Sequence, residues 1–468
     1  MTRMPIRPSL YSLRVHFAFF LPCLLLVVCN EVCSDETSGN GTRSKICPTG
    51  NTCCPMANGS SGCIASDMGE RNATCCPDGL TGCPVGYQCG SRGNDMYCIT
   101  STDESSYADP LTRVLPRYRL CHAGEINTFH GLLVEQSFLD SGPAEIAYYS
   151  NMGSVEDIAN PSSVEMALIV VHGASRNADD YFCSAKATIE LQNRFSRILV
   201  IAPKFFSSSD ERPKDTFLYW DSEDEDGTWR YGADSAGPVP YSSFSALDKM
   251  VSTVRTKLPN LKTLAVAGHS SGGQAVQRWA LLSSVWKGQY DPILHAVVAN
   301  PSSYVYLSPV RFIDGRWRDP KSYTSGESCP FWNAWEWGLG DGGKLEVPYR
   351  NHALSNTTEV LERYKSRKVF YLIGGLDRCN VSEGSSGWCN SHGLETKCMD
   401  QLQGSNRLER NYRYITSLRR LGYWDDFHIR IVVPGVGHDH SMMFQSPEGI
   451  KAIYYGSTPA SVGRVLED

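Results

Sequence analysis

The chain has 468 residues, which is more than one hydrophobic core usually spans, so more than one folding unit is expected. Its hydrophobic content of 41% is ordinary for a globular protein. The formal net charge of -6, without a basic cluster interleaved with aromatic residues, argues against a nucleic-acid partner and favours a small-molecule or polymeric substrate.

Residues 1–34 have the pattern of a secretory signal peptide. Three arginines precede a run of thirteen apolar residues at 17–29, and residues suited to cleavage follow at 32–34. Thirteen residues fall short of the roughly 20 that a membrane span requires, and no later apolar run reaches that length. We therefore expect cleavage rather than a retained anchor, a secreted mature chain that begins near Asp35, and no stable membrane span.

Residues 35–98 form a cysteine-rich segment, with nine cysteines between Cys47 and Cys98. A segment this small and polar cannot bury a sufficient core, so disulfides must stabilise it. The runs CPTGNTCC and CCPDGLTGCPVGYQC resemble a granulin module, which implies a stack of hairpins with a ladder of disulfides. Cys63 and Cys83 stand alone where granulins carry cysteine pairs, and the connectivity stays open. The alternative is a generic disulfide-stabilised secreted module without activity of its own.

Residues 99–115 are rich in Ser, Asp, Thr and Tyr and are predicted to be a linker. From 116 to 468, apolar runs alternate with helix-like segments, which predicts an α/β fold: a mostly parallel sheet with helices on both faces. The predicted strands are 166–171, 198–202, 264–267, 296–299, 369–373 and 429–433, and the predicted helices include 243–257, 274–280 and 359–367. Residues 205–240 and 304–351 are too long for simple connections, so we predict insertions over the carboxyl edge of the sheet.

The run Gly268-His269-Ser270-Ser271-Gly272 lies between an apolar strand-like run and a helix-like segment. This pattern is typical of a nucleophile elbow, in which small residues beside Ser270 allow a sharp turn. The turn would place the serine hydroxyl at the carboxyl edge of a parallel sheet, with the helix dipole behind it. A Gly/Ser-rich surface turn is the alternative, and the flanking strand and helix favour the elbow.

A serine hydroxyl needs a neutral imidazole to accept its proton and a carboxylate to orient that imidazole. In chains that contain an elbow of this kind, the acid and then the histidine follow the serine in sequence, each in a loop after a late strand. His438, in a glycine-containing loop after the last predicted strand, is the predicted base, and His440 competes for this role. Asp377 is the predicted acid, and the alternative is a turn aspartate that bonds its own backbone.

Chemistry at a carbonyl also needs N–H donors for the developing oxyanion. Ser271, directly after the nucleophile, supplies one donor, and Ala174 or Ser175, after the strand at 166–171, supplies the other. His172 has no second histidine at metal-ligand spacing nearby. We therefore expect a structural role for His172, and neither a metal nor a cofactor in the site.

Two features agree with export to an oxidising compartment: the cysteine content and the glycosylation sequons. The sequons lie at Asn40, Asn58, Asn72, Asn356 and Asn380. Cys379 is expected to pair with either Cys389 or Cys398, and this disulfide would brace the loop that carries Asp377.

Residues 116–460 resemble the α/β-hydrolase superfamily. The segments LIVVHGASRNADDYF, GHSSGG and PGVGHDH are most similar to secreted esterases related to polyhydroxybutyrate depolymerases and feruloyl esterases. The resemblance implies hydrolysis of a small-molecule or polymeric ester through an acyl-enzyme on Ser270. Two alternatives are a serine peptidase of the same fold, and an inert binding protein whose cysteine-rich module engages a protein or a cell-wall polymer.

Several tryptophans lie in the predicted insertion at 304–351. Aromatic side chains over an active-site edge suit an aromatic acyl group or a sugar ring. We predict that at least one of Trp332, Trp335 and Trp337 lines the cleft above Ser270. The alternative is that the three side chains pack the insertion's own small core.

Overall fold

The structure is a computed structural model that describes residues 31–34, 44–47, 51–55, 61–65, 74–75, 82–83, 87–92, 95–100, 121, 128–134, 143–191, 197–221, 228–320, 329–343, 345–378, 394–424 and 426–455, the first eight ranges as backbone. The chain divides into two compact units, Met1–Ser106 and Tyr107–Asp468. The division falls within residues 99–115, the predicted linker. None of the helices in the described ranges is both long enough and apolar enough to cross a membrane.

The first unit consists of short antiparallel hairpins, as the resemblance to granulin implies. Its strands are β1 (Glu31–Ser34), β2 (Ser44–Cys47), β3 (Asn51–Pro55), β4 (Ser61–Ala65), β5 (Thr74–Cys75), β6 (Gly82–Cys83), β7 (Tyr87–Arg92) and β8 (Asp95–Thr100), paired in sequence order. Cys53 lies opposite Cys63, and Cys89 lies opposite Cys98. Strand β1 occupies the last four residues of the predicted signal peptide, so cleavage after Ser34 would remove it.

The second unit is built on an eight-stranded sheet. Its strands are β9 (His130–Leu133), β10 (Glu145–Ser150), β11 (Met166–Val171), β12 (Ile198–Pro203), β15 (Thr263–His269), β16 (Leu294–Ala299), β19 (Lys368–Gly374) and β20 (His428–Val433), in the order β20-β19-β16-β15-β11-β12-β10-β9. The six predicted strands are confirmed and form the parallel part of the sheet. The sequence analysis missed strands β9 and β10. Strand β10 pairs antiparallel with both β12 and β9.

Each of two segments outside this sheet contains one short pair of strands. Strands β13 (Phe206–Ser207) and β14 (Tyr219–Trp220) lie in the predicted insertion at 205–240, and β17 (Arg311–Ile313) and β18 (Arg316–Arg318) lie in that at 304–351. The helices are α1 (Ala178–Leu191), α2 (Ser243–Lys257), α3 (Ser271–Leu282), α4 (Pro348–Leu354), α5 (Thr357–Lys365), α6 (Cys398–Gln401), α7 (Arg407–Arg420), α8 (His440–Gln445) and α9 (Pro447–Ile453). Short 3-10 turns occupy Pro161–Ser163, Thr228–Tyr231 and Gly288–Tyr290.

Helix α2 has the predicted bounds, whereas α5 begins two residues before the predicted start at 359. The Asn356 side chain accepts a hydrogen bond from Glu359 N and so caps the helix at this earlier point. In the same way, the Ser242 side chain accepts from Phe244 N at the start of α2.

Each face of the sheet is covered by its own apolar core. Along β11, Ile169 and Val171 pack into one core, and Leu168 and Val170 pack into the other. Helices α2 and α3 contribute to the first core, and α1, α8 and α9 to the second. A strand buried on both faces reads as a continuous apolar run, which explains why the sequence predicts these strands well. The predicted α/β architecture with helices on both faces is confirmed.

Two disulfides occur among the described residues of the second unit. Cys121 bonds Cys183 in helix α1, and Cys329 bonds Cys398 at the start of α6. The predicted alternative that pairs Cys379 with Cys398 is therefore wrong, because Cys398 is already bonded to a cysteine of the second insertion. Cys379 and Cys389, the other predicted pair, lie outside the described residues.

The three tryptophans of the second insertion are buried, with exposed fractions of 8%, 3% and 5% for Trp332, Trp335 and Trp337. Their indole N–H groups donate to Pro309 O, Tyr231 O and Asp400 Oδ1. Arg311, fully buried, donates from one guanidinium nitrogen to Trp332 O and Trp337 O. The bond of Trp332 stays within the insertion, as the alternative expects, whereas Trp335 and Trp337 bond residues outside it and attach the insertion to Tyr231 and to helix α6.

Candidate active site

Ser270 lies in the sharp turn between strand β15 and helix α3. Its backbone has φ 58° and ψ -123°, a conformation that residues other than glycine rarely adopt. Ser270 N donates to Ala299 O at 3.0 Å, at the end of the neighbouring strand β16. The turn therefore holds the serine at the carboxyl edge of the parallel sheet.

Two glycines beside Ser270 are required by close backbone contacts. A Cβ at Gly272 would lie 2.3 Å from Val171 O and 2.5 Å from His172 O. A Cβ at Gly268 would lie 2.3 Å from Gly272 O. The first turn of α3 thus lies directly against the end of β11. Its N–H groups, including that of Ser271, have no acceptor within the helix and are available to an anion.

His438 and Asp377 lie within hydrogen-bond distance of each other and of the serine. His438 Nε2 is 3.0 Å from Ser270 Oγ, and His438 Nδ1 is 2.8 Å from Asp377 Oδ2. His438 lies in the loop between β20 and α8, and Asp377 follows β19, so both reach the sheet edge where β15 ends. Both side chains are almost completely buried, with 6% and 2% exposed. This is the geometry of a serine, a general base and an orienting acid.

The surroundings of Asp377 keep its carboxyl group ionised. Burial alone would raise the pKa of Asp377, but the facing His438 and Arg407 outweigh this effect and hold that pKa below its ordinary value. Arg407 Nη1 lies 3.6 Å from Asp377 Oδ1. An ionised acid favours the tautomer in which His438 Nδ1 carries the proton and Nε2 is free to accept one from serine.

The loop after β11 lies next to the nucleophile. The Cβ position of Gly173 is 3.6 Å from Ser270 Cβ, so the main chain of this loop reaches the serine. Within the described part of the chain, Ala174 N has no hydrogen-bond partner, and Ser175, the alternative donor, is exposed. Ala174 follows Gly173 in this loop, and Ser271 follows Ser270 at the start of α3, so both candidate N–H donors belong to segments next to the serine.

The His172 side chain holds the loop after β11 in place. Its ring is fully buried, and burial lowers the pKa of His172 to about 3, so the ring is neutral. Its Nδ1 is 2.8 Å from Gly173 O, and its Nε2 accepts a hydrogen bond from Phe205 N. These contacts agree with the expected structural role.

Residues 168–453, more than half of the chain, match the model of the Alpha/beta hydrolase family. The chain belongs to the alpha/beta hydrolase family. The matched region begins within β11 and ends at the last residue of α9, so it contains the serine turn, the acid loop and the histidine loop of this hydrolase.

Two solved structures of hydrolases are similar to the chain. Poly(aspartic acid) hydrolase-1 from Sphingomonas sp. KT-1 is 20% identical, with a TM-score of 0.43, over 70% of this chain and 98% of that one. A poly(3-hydroxybutyrate) depolymerase from Bordetella parapertussis is 18% identical, with a TM-score of 0.42, over 75% of this chain and 98% of that one.

The N-terminal segment matches granulins. It is 37% identical over 78 residues to progranulin of Cavia porcellus and 41% identical over 49 residues to granulin of Dictyostelium discoideum. These matches cover 17% and 10% of the hydrolase chain. The chain spans only 12% and 35% of the length of these two relatives. The resemblance of the first unit to granulins is thereby confirmed.

His440, the competing candidate for the base, occupies a different position in the hydrolase. Its ring stacks on Tyr181, with ring centroids 4.0 Å apart and an interplanar angle of 12°. The Tyr181 hydroxyl in turn lies 3.0 Å from His269 Nδ1. The imidazole nitrogen within hydrogen-bond distance of Ser270 Oγ is Nε2 of His438. His440 therefore packs beside the site, and His438 occupies the position of a base.

Asn300 connects the loops that carry the acid and the base, a role that the sequence analysis missed. Its Nδ2 donates to Gly437 O and its Oδ1 accepts from Gly374 N, both at 3.0 Å. Asn300 is fully buried and has φ 44°, a conformation that asparagine tolerates better than most residues. An asparagine directly after a strand was the available sequence signal.

A buried polar cluster attaches both insertions to helix α3. It consists of the charged residues Arg230, Arg278 and Glu395 and the neutral Gln274. Glu395 accepts hydrogen bonds from Arg230 and from Gln274, which lies one turn after Ser270. Burial opposes ionisation of Glu395, but Arg230 and Arg278 outweigh it and lower its pKa to about 2. Arg278 also donates to Glu336 O in the second insertion. No local pattern in the sequence predicts this cluster, because its members meet only in the folded chain.

The contact at Gly272 predicts a large effect of a single methyl group. Gly272→Ala must displace α3 from β11, and we expect the free energy of unfolding to fall by about 3 kcal/mol. Chemical denaturation followed by circular dichroism measures this change.

Gly437→Ala is the matched control. Gly437 precedes His438, but its Cβ position has no atom within 4 Å, so we expect a change of less than about 1 kcal/mol. Equal destabilisation by the two substitutions would contradict the assigned contact.

Proposed function

We propose that the chain is a serine hydrolase that cleaves a carboxylic ester through an acyl-enzyme on Ser270. The observation that carries this proposal is the continuous pair of hydrogen bonds from Ser270 Oγ through His438 to Asp377, at 3.0 Å and 2.8 Å. The strained turn at Ser270 and the close contacts of Gly272 support it, since they present the hydroxyl at the sheet edge.

In the proposed mechanism, Ser270 Oγ attacks the ester carbonyl while neutral His438 Nε2 accepts its proton. Asp377 holds the imidazole and stabilises its protonated form. The N–H groups of Ser271 and Ala174 donate to the oxyanion of the tetrahedral intermediate. His438 then returns the proton to the leaving alcohol, and an acyl group stays on Ser270. Water, activated by His438, hydrolyses this acyl-enzyme and restores the serine.

An ester is the proposed substrate because its carbonyl is more electrophilic than that of an amide and its alcohol leaves more readily. The same triad therefore acts on esters with fewer supporting contacts. The substrate is a small-molecule or polymeric ester, and the chemistry described requires no cofactor.

We also propose that the protein is secreted after removal of residues 1–34. The disulfides Cys121–Cys183 and Cys329–Cys398 are consistent with an oxidising compartment. Asn356, one of the sequons, is exposed at the start of α5, where an attached glycan would meet solvent. For the granulin-like module, residues 35–98, we propose a protein or cell-wall polymer as the partner.

Removal of the nucleophile tests the proposed activity. Ser270→Ala should lower kcat/KM for p-nitrophenyl acetate and butyrate by at least about 10⁴-fold, because the acyl-enzyme cannot form. An unchanged circular dichroism spectrum would establish that the variant is folded. Ester turnover that persists in this variant would refute the nucleophile. Preferential cleavage of matched p-nitroanilides by the wild type would instead favour a peptidase.

The two histidines provide a second test. We expect His438→Gln to lower kcat/KM by about 10⁴-fold, since no group remains to accept the serine proton. His440→Gln removes a ring that stacks on Tyr181 and should cost less than about 10-fold. Steady-state kinetics on the same ester decides between them, and the reverse order of the two losses would make His440 the base.

A further inference from the structure

The triad acid has a second partner besides the histidine. Asp377 Oδ2 is bonded to His438, whereas Oδ1 faces Arg407 Nη1 at 3.6 Å. The side chains of Arg407 and Asp377 are only 1% and 2% exposed. In addition, Leu408 N, next to Arg407, donates to Asp377 O at 3.0 Å. The start of helix α7 therefore contacts both the main chain and the carboxylate of the acid.

Arg407 occupies a position that a helix itself disfavours. It is the first residue of α7, where the helix dipole is positive and a cation is destabilising. Its burial also removes a permanent charge from water, which pairing with a carboxylate at best offsets. The helix is already capped without it, because the Asn406 side chain accepts from Glu409 N. Helix formation therefore does not account for an arginine at this place.

We propose that Arg407 is a positioning residue, whose guanidinium holds the Asp377 carboxylate toward His438 and balances part of its negative charge. This inference rests on the proposed function of the triad. The contact that gives Arg407 this role is the one with Asp377 Oδ1, so Arg407 acts through the acid. Without this cation, the Asp377–His438 pair would carry a full uncompensated negative charge whenever both groups are deprotonated.

The consequence is a defined shift of the pH profile. The enzyme is active when the Asp377–His438 pair has lost its last ionisable proton, whichever of the two groups holds it, and His438 is then neutral. A nearby cation makes this loss easier, so removal of the cation raises the apparent pKa of the pair. For a buried cation on the other side of the carboxylate from the imidazole, partly screened by the protein, we expect a shift of about one pH unit.

Other ionisable groups lie around this pair, but the substitution leaves them in place. They are His269, His440, Asp439, Tyr181, Tyr304, Glu395 and, beside Arg407 on α7, Arg410. Burial, followed by the neighbouring histidines, lowers the pKa of His269 well below its ordinary value, so this ring stays neutral. Because these groups are common to the wild type and the Arg407 variants, a difference between their profiles reports on position 407.

The test compares neutral and charged replacements in the full chain. The acidic limb of kcat/KM for p-nitrophenyl butyrate should move to higher pH by about one unit in Arg407→Met and Arg407→Gln. Arg407→Lys keeps the charge and should retain the wild-type limb, even if its kcat falls. If the neutral variants do not fold, Arg407→Lys still tests the proposal. An acidic limb of kcat/KM that lies a full pH unit above that of the wild type in Arg407→Lys would overturn it.

Arg410→Met is the matched control. Arg410 lies on the same helix, is equally buried, and donates to the carbonyl oxygens of Gly404, Ser302 and Glu395 rather than to Asp377. Its limb should coincide with that of the wild type. The proposal would be wrong, and Arg407 only a structural residue, in either of two cases. The acidic limb of kcat/KM stays at the wild-type pH in the neutral Arg407 variants, or it shifts equally in Arg410→Met.

A readout that needs no ester separates this inference from the proposed function. The rate at which a fluorophosphonate modifies Ser270 depends on the same deprotonated pair, so its pH profile should shift in the same way. If the wild type is modified but does not hydrolyse esters, the substrate class fails while Arg407 is still tested. An unshifted modification profile in the neutral variants would refute the role of Arg407 alone.

Discussion

The close contact between the start of helix α3 and the end of strand β11 is the constraint on which the rest of the site depends. Gly272 has no room for a Cβ there, and Ser270 adopts a left-handed φ of 58°. Such conformations cost about 1–3 kcal/mol and persist only where the surroundings enforce them. The two apolar cores on either face of the sheet provide that enforcement. A rigid scaffold therefore holds a strained serine at the sheet edge.

Burial also decides the electrostatics around the serine. A buried carboxylate stays ionised only when charged or hydrogen-bonding partners replace water. The two oxygens of Asp377 are shared between His438 and Arg407, and Glu395 is held by Arg230 and other donors. Each charge in this region thus comes from a different segment of the chain. Correct docking of α7 is therefore a condition for an ionised Asp377.

The sequence predicts those parts of the molecule whose signal is local. Strands buried on both faces are continuous apolar runs, and the elbow at Ser270 carries its glycines within five residues. Strands β9 and β10 escaped prediction because they lack the strand–helix alternation of parallel units. The disulfide between Cys329 and Cys398, 69 residues apart, contradicts the predicted pairing because its geometry exists only after folding. Arg407 reaches the site through tertiary contacts alone, so residue spacing could not reveal it.

Covalent labelling tests the central claim, that the fold activates Ser270, most directly. The native full-length protein is treated with a fluorophosphonate, digested and analysed by mass spectrometry. We expect a single phosphonyl group on Ser270 Oγ, formed with loss of fluoride, and no labelling of denatured protein or of Ser270→Ala. A native protein that stays unlabelled, or a label that persists on another residue in Ser270→Ala, would contradict it.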